Sequence, residues 1–187
     1  MKRPSARPVA LCRKSNRAGQ RRRRCAAETD AVVVAKLRDQ DAPARLALTL
    51  PGVRVTSERD GPYVRFAVSG LPPDTRVDYD VRSGNGSDGS GVGRFRTMPS
   101  GAASFTIAFS SCARTGSNGA VFDAVRAEEP LLYLNLGDMY YANIDTPEVG
   151  RFTQAIDRVL TRPAQANLAR ATSTAYVWDD HDFGPND

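Results

Sequence analysis

The sequence predicts two dissimilar folded parts: a small antiparallel β-sandwich over residues 31–99, followed by an α/β part on a parallel sheet over residues 102–187. Three observations carry this reading. Between 31 and 99 apolar and polar residues alternate with a period of two, punctuated by glycine and proline turns. After Pro99 the pattern changes to strand, helix, strand, helix, strand. No run of about 18 apolar residues occurs anywhere, so a membrane-spanning helix is not expected.

Composition narrows the chemistry. The 187 residues are 41% hydrophobic and 25% charged, an ordinary globular balance. With one histidine and three cysteines, the chain has no His-pair zinc motif, no four-cysteine site and no dense disulfide framework. A metal site would have to draw on carboxylates, amides, a phenol or a thiolate. The net charge of +5 is misleading, because residues 1–27 hold ten basic residues and no acidic one. That leaves 16 basic against 21 acidic residues beyond position 27, a mildly acidic body behind a basic tail. Residues 1–28 are expected to be disordered, since a like-charged block with little apolar content cannot offset its ordering entropy. The tail could bind nucleic acid or an anionic membrane non-specifically, with an affinity that falls steeply with salt. It lacks the apolar core of a signal peptide, so localisation is left unassigned.

The elements follow in order. Residues 31–35 and 44–50 read as strands, the second alternating cleanly through Leu46, Leu48 and Leu50. Residues 63–68 alternate again, and Gly70-Leu71-Pro72-Pro73-Asp74-Thr75 turns the chain into a strand over 76–82. The polar run 83–91 is a loop tip before a strand at 92–97. Beyond the linker 98–101, residues 104–110 form a β-rich run, and 118–129 read as a helix with Val121, Phe122 and Val125 on one face, stopped by Pro130. Residues 131–136 are almost all apolar, as in a strand buried on both faces. Thr146-Pro147-Glu148 starts a helix with proline at its first position, carrying a stripe of Val149, Phe152, Ile156, Val159 and Leu160. Residues 174–178 give a third strand.

Connections of this length make the strands parallel, and such sheets bind ligands beyond the carboxyl ends of their strands. Each of these strands ends in a polar cluster: Ser110-Ser111-Cys112, Gly137-Asp138-Met139-Tyr140-Tyr141 and Asp179-Asp180-His181-Asp182. Each has a bland reading. A Gly-Asp after a strand usually marks a turn, a cysteine at a strand end is more often a small hydrophobe, and Asp-Asp-His-Asp can be a helix cap. Their occurrence in order, each at a strand end, brings a thiol, carboxylates, phenols and one imidazole to a single edge. Hard oxygen donors with a thiolate suit an oxidised, Lewis-acidic metal, and a carboxylate can bridge two ions.

The three clusters, with Asn135-Leu136 before the second and Val177-Trp178 and Phe183-Gly184-Pro185-Asn186-Asp187 around the third, resemble the alkaline phosphatase D (PhoD-like) family of metallophosphoesterases. The Trp178-Asp179-Asp180-His181 run is the most specific part. The resemblance covers roughly residues 31–187 and implies a fibronectin III-like β-sandwich before an incomplete α/β metallophosphatase (αββα sandwich) domain. By that resemblance Cys112 is a thiolate ligand, Asp138 a carboxylate bridging two metals, Tyr141 a phenolate ligand and Asp180 a ligand. His181 is the phosphate-contacting acid, and Asp179 stands as ligand or supporting residue. The implied metals are iron with calcium or another divalent ion. The implied reaction is attack of metal-bound hydroxide on a phosphomonoester or phosphodiester.

Two departures shape the expectation. The first motif usually continues with glutamine after the cysteine, where this chain has Ala113 and Arg114. The family also completes its site with further His and polar ligands downstream, which predicts that the 187-residue polypeptide folds poorly alone and has little or no activity. The competing reading is a binding or adhesion module resting on residues 31–99, with no catalysis.

Overall fold

In a computed structural model the chain is described over residues 6–9, 11–12, 28–84, 89–113 and 119–185. The basic run Arg21–Arg24, the tip 85–88, residues 114–118 and the final Asn186 and Asp187 of the third motif lie outside the described residues. The chain divides into two compact units, Met1–Ser104 and Phe105–Asp187. Antiparallel sheets dominate the first, and a small parallel sheet with helices makes up the second. No helix among the described residues is long and apolar enough to cross a membrane.

In the first unit, strands β1 (Ala6–Val9), β3 (Asp30–Leu37), β5 (Arg54–Asp60) and β6 (Tyr63–Ser69) form one antiparallel sheet in the order β1-β3-β6-β5. Strands β4 (Ala44–Leu48), β7 (Arg76–Ser83) and β8 (Val92–Arg96) form a second, in the order β4-β7-β8. The period of two is the cause of the packing: Val33 and Ala35 on β3, Val64, Phe66 and Val68 on β6, Val77, Tyr79 and Val81 on β7 and Phe95 on β8 share one buried cluster. Alternate residues of each strand point inward, so one apolar face per sheet suffices.

The first unit departs from expectation in two places. Residues 6–9 pair with β3 in register Ala6↔Leu37 to Val9↔Val34, so part of the stretch expected to be disordered is a strand. It lies at the sheet edge, where Pro8 is tolerated because an outer strand can spare a ladder donor. A second short strand, β2, spans Leu11–Cys12. The other departure is β5, which the period-two reading missed. All seven of its residues are exposed, so an edge strand of this kind carries no apolar alternation to detect.

In the second unit β10 (Leu132–Asn135) lies between β9 (Ile107–Ser110) and β11 (Ser173–Tyr176), parallel to both. Helices α1 (Gly119–Ala127) and α3 (Pro163–Ala171) cover one face, where Phe122 and Leu168 pack on Tyr133 with Ala108, Val125 and Ala164. Helix α2 (Val149–Leu160) places Ala155 and Val159 against Met139, Tyr140 and Ile144, clamping the loop that follows β10. On the opposite face, among the described residues, Ile107 and Phe109 are exposed and Leu132 and Leu134 only half-buried, against the expectation that this strand is buried on both faces.

Helix details also differ. Helix α2 begins at Val149, with Glu148 extended at φ −84° and ψ 104° as its N-cap, so Pro147 precedes the helix rather than opening it. Val149 is accordingly outside the packed stripe, at 77% exposure. On α1, Val121 points away from the face that buries Phe122. The proline that does open a helix is Pro163, at the start of α3. That helix was not expected, because its buried residues Ala166, Leu168 and Ala169 make too slight an apolar stripe.

Candidate metal centre

The chain ends of β9, β10 and β11 form one cluster. Two loops are stitched together by their backbones: Cys112 N–H donates to the Gly137 carbonyl at 3.1 Å, and Ala113 N–H to the Asp138 carbonyl at 2.9 Å. Cys112 and Asp138 both adopt left-handed backbone conformations, φ 58° and 52°, which non-glycine residues rarely take outside turns and functional sites. Gly137, at φ 115°, leaves no room for a side chain, since a Cβ there would lie 2.5 Å from the Cβ of Asp179. The glycine thus lets the β10 loop lie directly against the start of the third cluster.

Asp138 sits at the centre. One of its oxygens, Oδ2, accepts from the Tyr141 hydroxyl at 2.9 Å and from the Cys112 thiol at 3.7 Å. Its other oxygen, Oδ1, is buried without a hydrogen-bond partner, and so is Nδ1 of His181. Asp138, Asp180 and His181 offer ligand atoms that all lie within 4.8 Å of one another, and together they could hold a metal ion. The His181 ring rests against Tyr141 with centroids 4.1 Å apart and planes tilted by 48°. Asp138 and His181 are buried, Asp180 is intermediate, and Cys112 and Tyr141 open to solvent.

Two buried polar atoms facing no donor or proton acceptor are costly in a closed interior. A cation among these carboxylates and the imidazole removes that cost, so the residues present fit a metal ion. The Tyr141 phenol is driven well above its usual range by its hydrogen bonds to Cys112 and then Asp138, so without a cation it stays protonated.

The third cluster is organised by α4 (Asp180–Phe183), a single turn. Asp179 caps it, in a reciprocal pair with Asp182 in which each side chain accepts from the other's backbone N–H. Asp179 also accepts from Asp180 N–H at 3.1 Å, so its carboxylate is occupied in holding this turn. The turn then presents Asp180 and His181 towards Asp138 and buries Asp182.

Of the residues singled out in the sequence, Cys112 and Tyr141 both bond the Asp138 carboxylate, Asp180 and His181 lie with Asp138 in one group of ligand atoms, and Asp179 caps the α4 turn. Several contributors were not anticipated. Asp182 accepts from the backbone N–H groups of Asp138 at 2.7 Å and Met139 at 2.9 Å. The Tyr140 hydroxyl donates to the Asp182 carbonyl at 2.9 Å, and its pKa is pushed up to about 12 by burial and by the Asp182 charge. The Tyr176 phenol is likewise raised, by burial first and then by its hydrogen bond to Asp182. Asn135 accepts from Gly137 N–H at 3.1 Å and fixes the turn before Asp138. Asp182 and Tyr140 stand inside the polar clusters, Asn135 lies two residues before the second, and Tyr176 gave no signal beyond its place in a strand.

No protein-family model matches the chain, and no curated protein matches it either.

Proposed function

We propose that residues 102–187 carry metal-binding residues of a phosphoester hydrolase of the alkaline phosphatase D type, an α/β metallophosphatase layer following a fibronectin III-like sandwich. The single observation that supports this best is the double membership of Asp138. One oxygen is shared by a thiol and a phenol, the other is buried and unpartnered, and Asp180 and His181 lie within ligand distance. A carboxylate with donors gathered on one oxygen and the other oxygen buried without a partner can serve as a bridge between two cations.

On this reading Cys112, Tyr141 and Asp138 would hold a hard, oxidised ion such as iron, and Asp138 with Asp180 a second divalent ion such as calcium. Such ions supply Lewis-acid polarisation and charge neutralisation at phosphorus. The chain's own residues do the rest. Asp138 fixes the relative position of the two donor groups through its carboxylate. His181, its ring resting against Tyr141, would use the ring nitrogen that is not on the ion to contact the phosphoryl group and pass a proton to the leaving oxygen. The solvent-open side at Cys112 and Tyr141 admits the substrate.

The test is binding of inorganic phosphate to the full chain with and without added iron and calcium. The expected result is phosphate binding only in the metal-loaded protein, lost in Asp138→Asn. Phosphate affinity that ignores metal, or a chain that retains no metal, contradicts the proposal.

A further inference from the structure

We propose that Asp182 is the positioning residue of this centre, the group that holds Asp138 in its left-handed conformation and so sets where its carboxylate lies. This deepens the phosphoesterase reading above and rests on it. Asp182 is buried, and its carboxylate accepts three backbone N–H groups: Asp138 at 2.7 Å, Met139 at 2.9 Å and Asp179 at 3.2 Å. Two come from the β10 loop and one from the β11 loop, segments 43 and 44 residues apart in the first case and three in the second. One carboxylate therefore ties the loop that supplies Asp138 to the turn that supplies Asp180 and His181.

Asp138 at φ 52° lies in a region that aspartate enters more readily than most residues but still at a cost, so a partner for its N–H in that conformation favours it. In this turn the consecutive N–H groups of Asp138 and Met139 both reach the Asp182 carboxylate, and a charged acceptor is the strongest partner they can find. Asp182 supplies it, and its own backbone is fixed by the Tyr140 hydroxyl on its carbonyl. Helix α2 then packs Val159 and Ala155 in the same cluster as Met139 and Tyr140, so the hold is braced from outside. Supporting groups of this kind commonly change metal affinity by about 10- to 100-fold when removed.

The experiment uses the full chain and Mn²⁺ as the probe. In Asp182→Asn, metal-free amide exchange at Asp138 and Met139 should accelerate, and the Mn²⁺ Kd should rise by about 10- to 100-fold. Asp182→Glu, which keeps the charge, should recover part of that loss. Val125→Ala in the α1–α3 cluster is the control: it should lower Tm and leave the Mn²⁺ Kd unchanged, which separates positioning from general stability. Should Asp182→Asn not fold, Tyr140→Phe decides, since it removes only the bond to the Asp182 carbonyl, and a rise in Kd of about threefold is expected. An Mn²⁺ Kd unchanged in the folded variants overturns the positioning role alone. Absence of Mn²⁺ binding in the wild type overturns the metal reading and this inference together.

Discussion

At Gly137 the chain tolerates no side chain, and this one position decides whether the β10 loop can meet the β11 loop. Gly137→Ala combines a φ of 115° with a Cβ 2.5 Å from that of Asp179. Backbone strain of this kind costs about 1–3 kcal/mol, and the collision adds to it. The second unit should therefore unfold at clearly lower urea, and an unchanged midpoint would show that the loops are not in contact. Tyr140 and Tyr176 give a pH prediction. Both phenols are raised in the folded state, Tyr140 to about 12, so the native protein keeps protons that the unfolded chain gives up near 10. Their contribution to stability is complete below pH 10 and is lost as pH rises towards 12 and beyond, and Tyr140→Phe should flatten this alkaline slope in pH-dependent unfolding. At this scale the sequence displayed the donor types but not their division of labour. Four residues in a row, Asp179 to Asp182, all read as polar. Only the single turn of α4 turns Asp182 inward and leaves Asp179 exposed as its cap, and no spacing rule covers so short a helix.

The elements show where periodicity serves and where it fails. Strands β3, β6 and β7 were legible because each buries alternate residues in one cluster. Phe66, 1% exposed in the middle of β6, anchors that cluster, and Phe66→Ala should destabilise the first unit by about 3–5 kcal/mol in chemical unfolding. A loss below 1 kcal/mol would mean that the cluster is not a packed core. Strand β5 had no such pattern to offer, since both its faces are exposed, and α3 hides its contacts in alanines. Around the first-predicted helix proline the physical rule held but was placed one helix early: Pro147 sits in the approach to α2, and Pro163 opens α3. The run 131–136 misled in another way. Uniform apolarity reads as burial on both faces, whereas only the Tyr133 side is covered by helices and the Leu132 and Leu134 side is half-open.

Across the whole molecule, the sequence pattern changes near Pro99 and the chain divides into two compact units after Ser104. Each unit has its own apolar clusters, which makes separate unfolding transitions the expected behaviour. Metal should act on one of them only. At a concentration about 100 times its Kd, a cation bound by the native second unit stabilises it by about 2.7 kcal/mol, and the transition of the first unit should not move. Calorimetry with and without Mn²⁺ checks this, and a joint shift of both transitions would count against it. The central claim is that Asp138 is the donor shared by both halves of the site, and metal content after dialysis against iron and calcium tests it most directly. The wild-type chain should retain metal, Cys112→Ser should lose the ion on the thiol side while keeping the one at Asp180, and Asp138→Asn should lose all of it. Equal retention by Asp138→Asn and the wild type would contradict it.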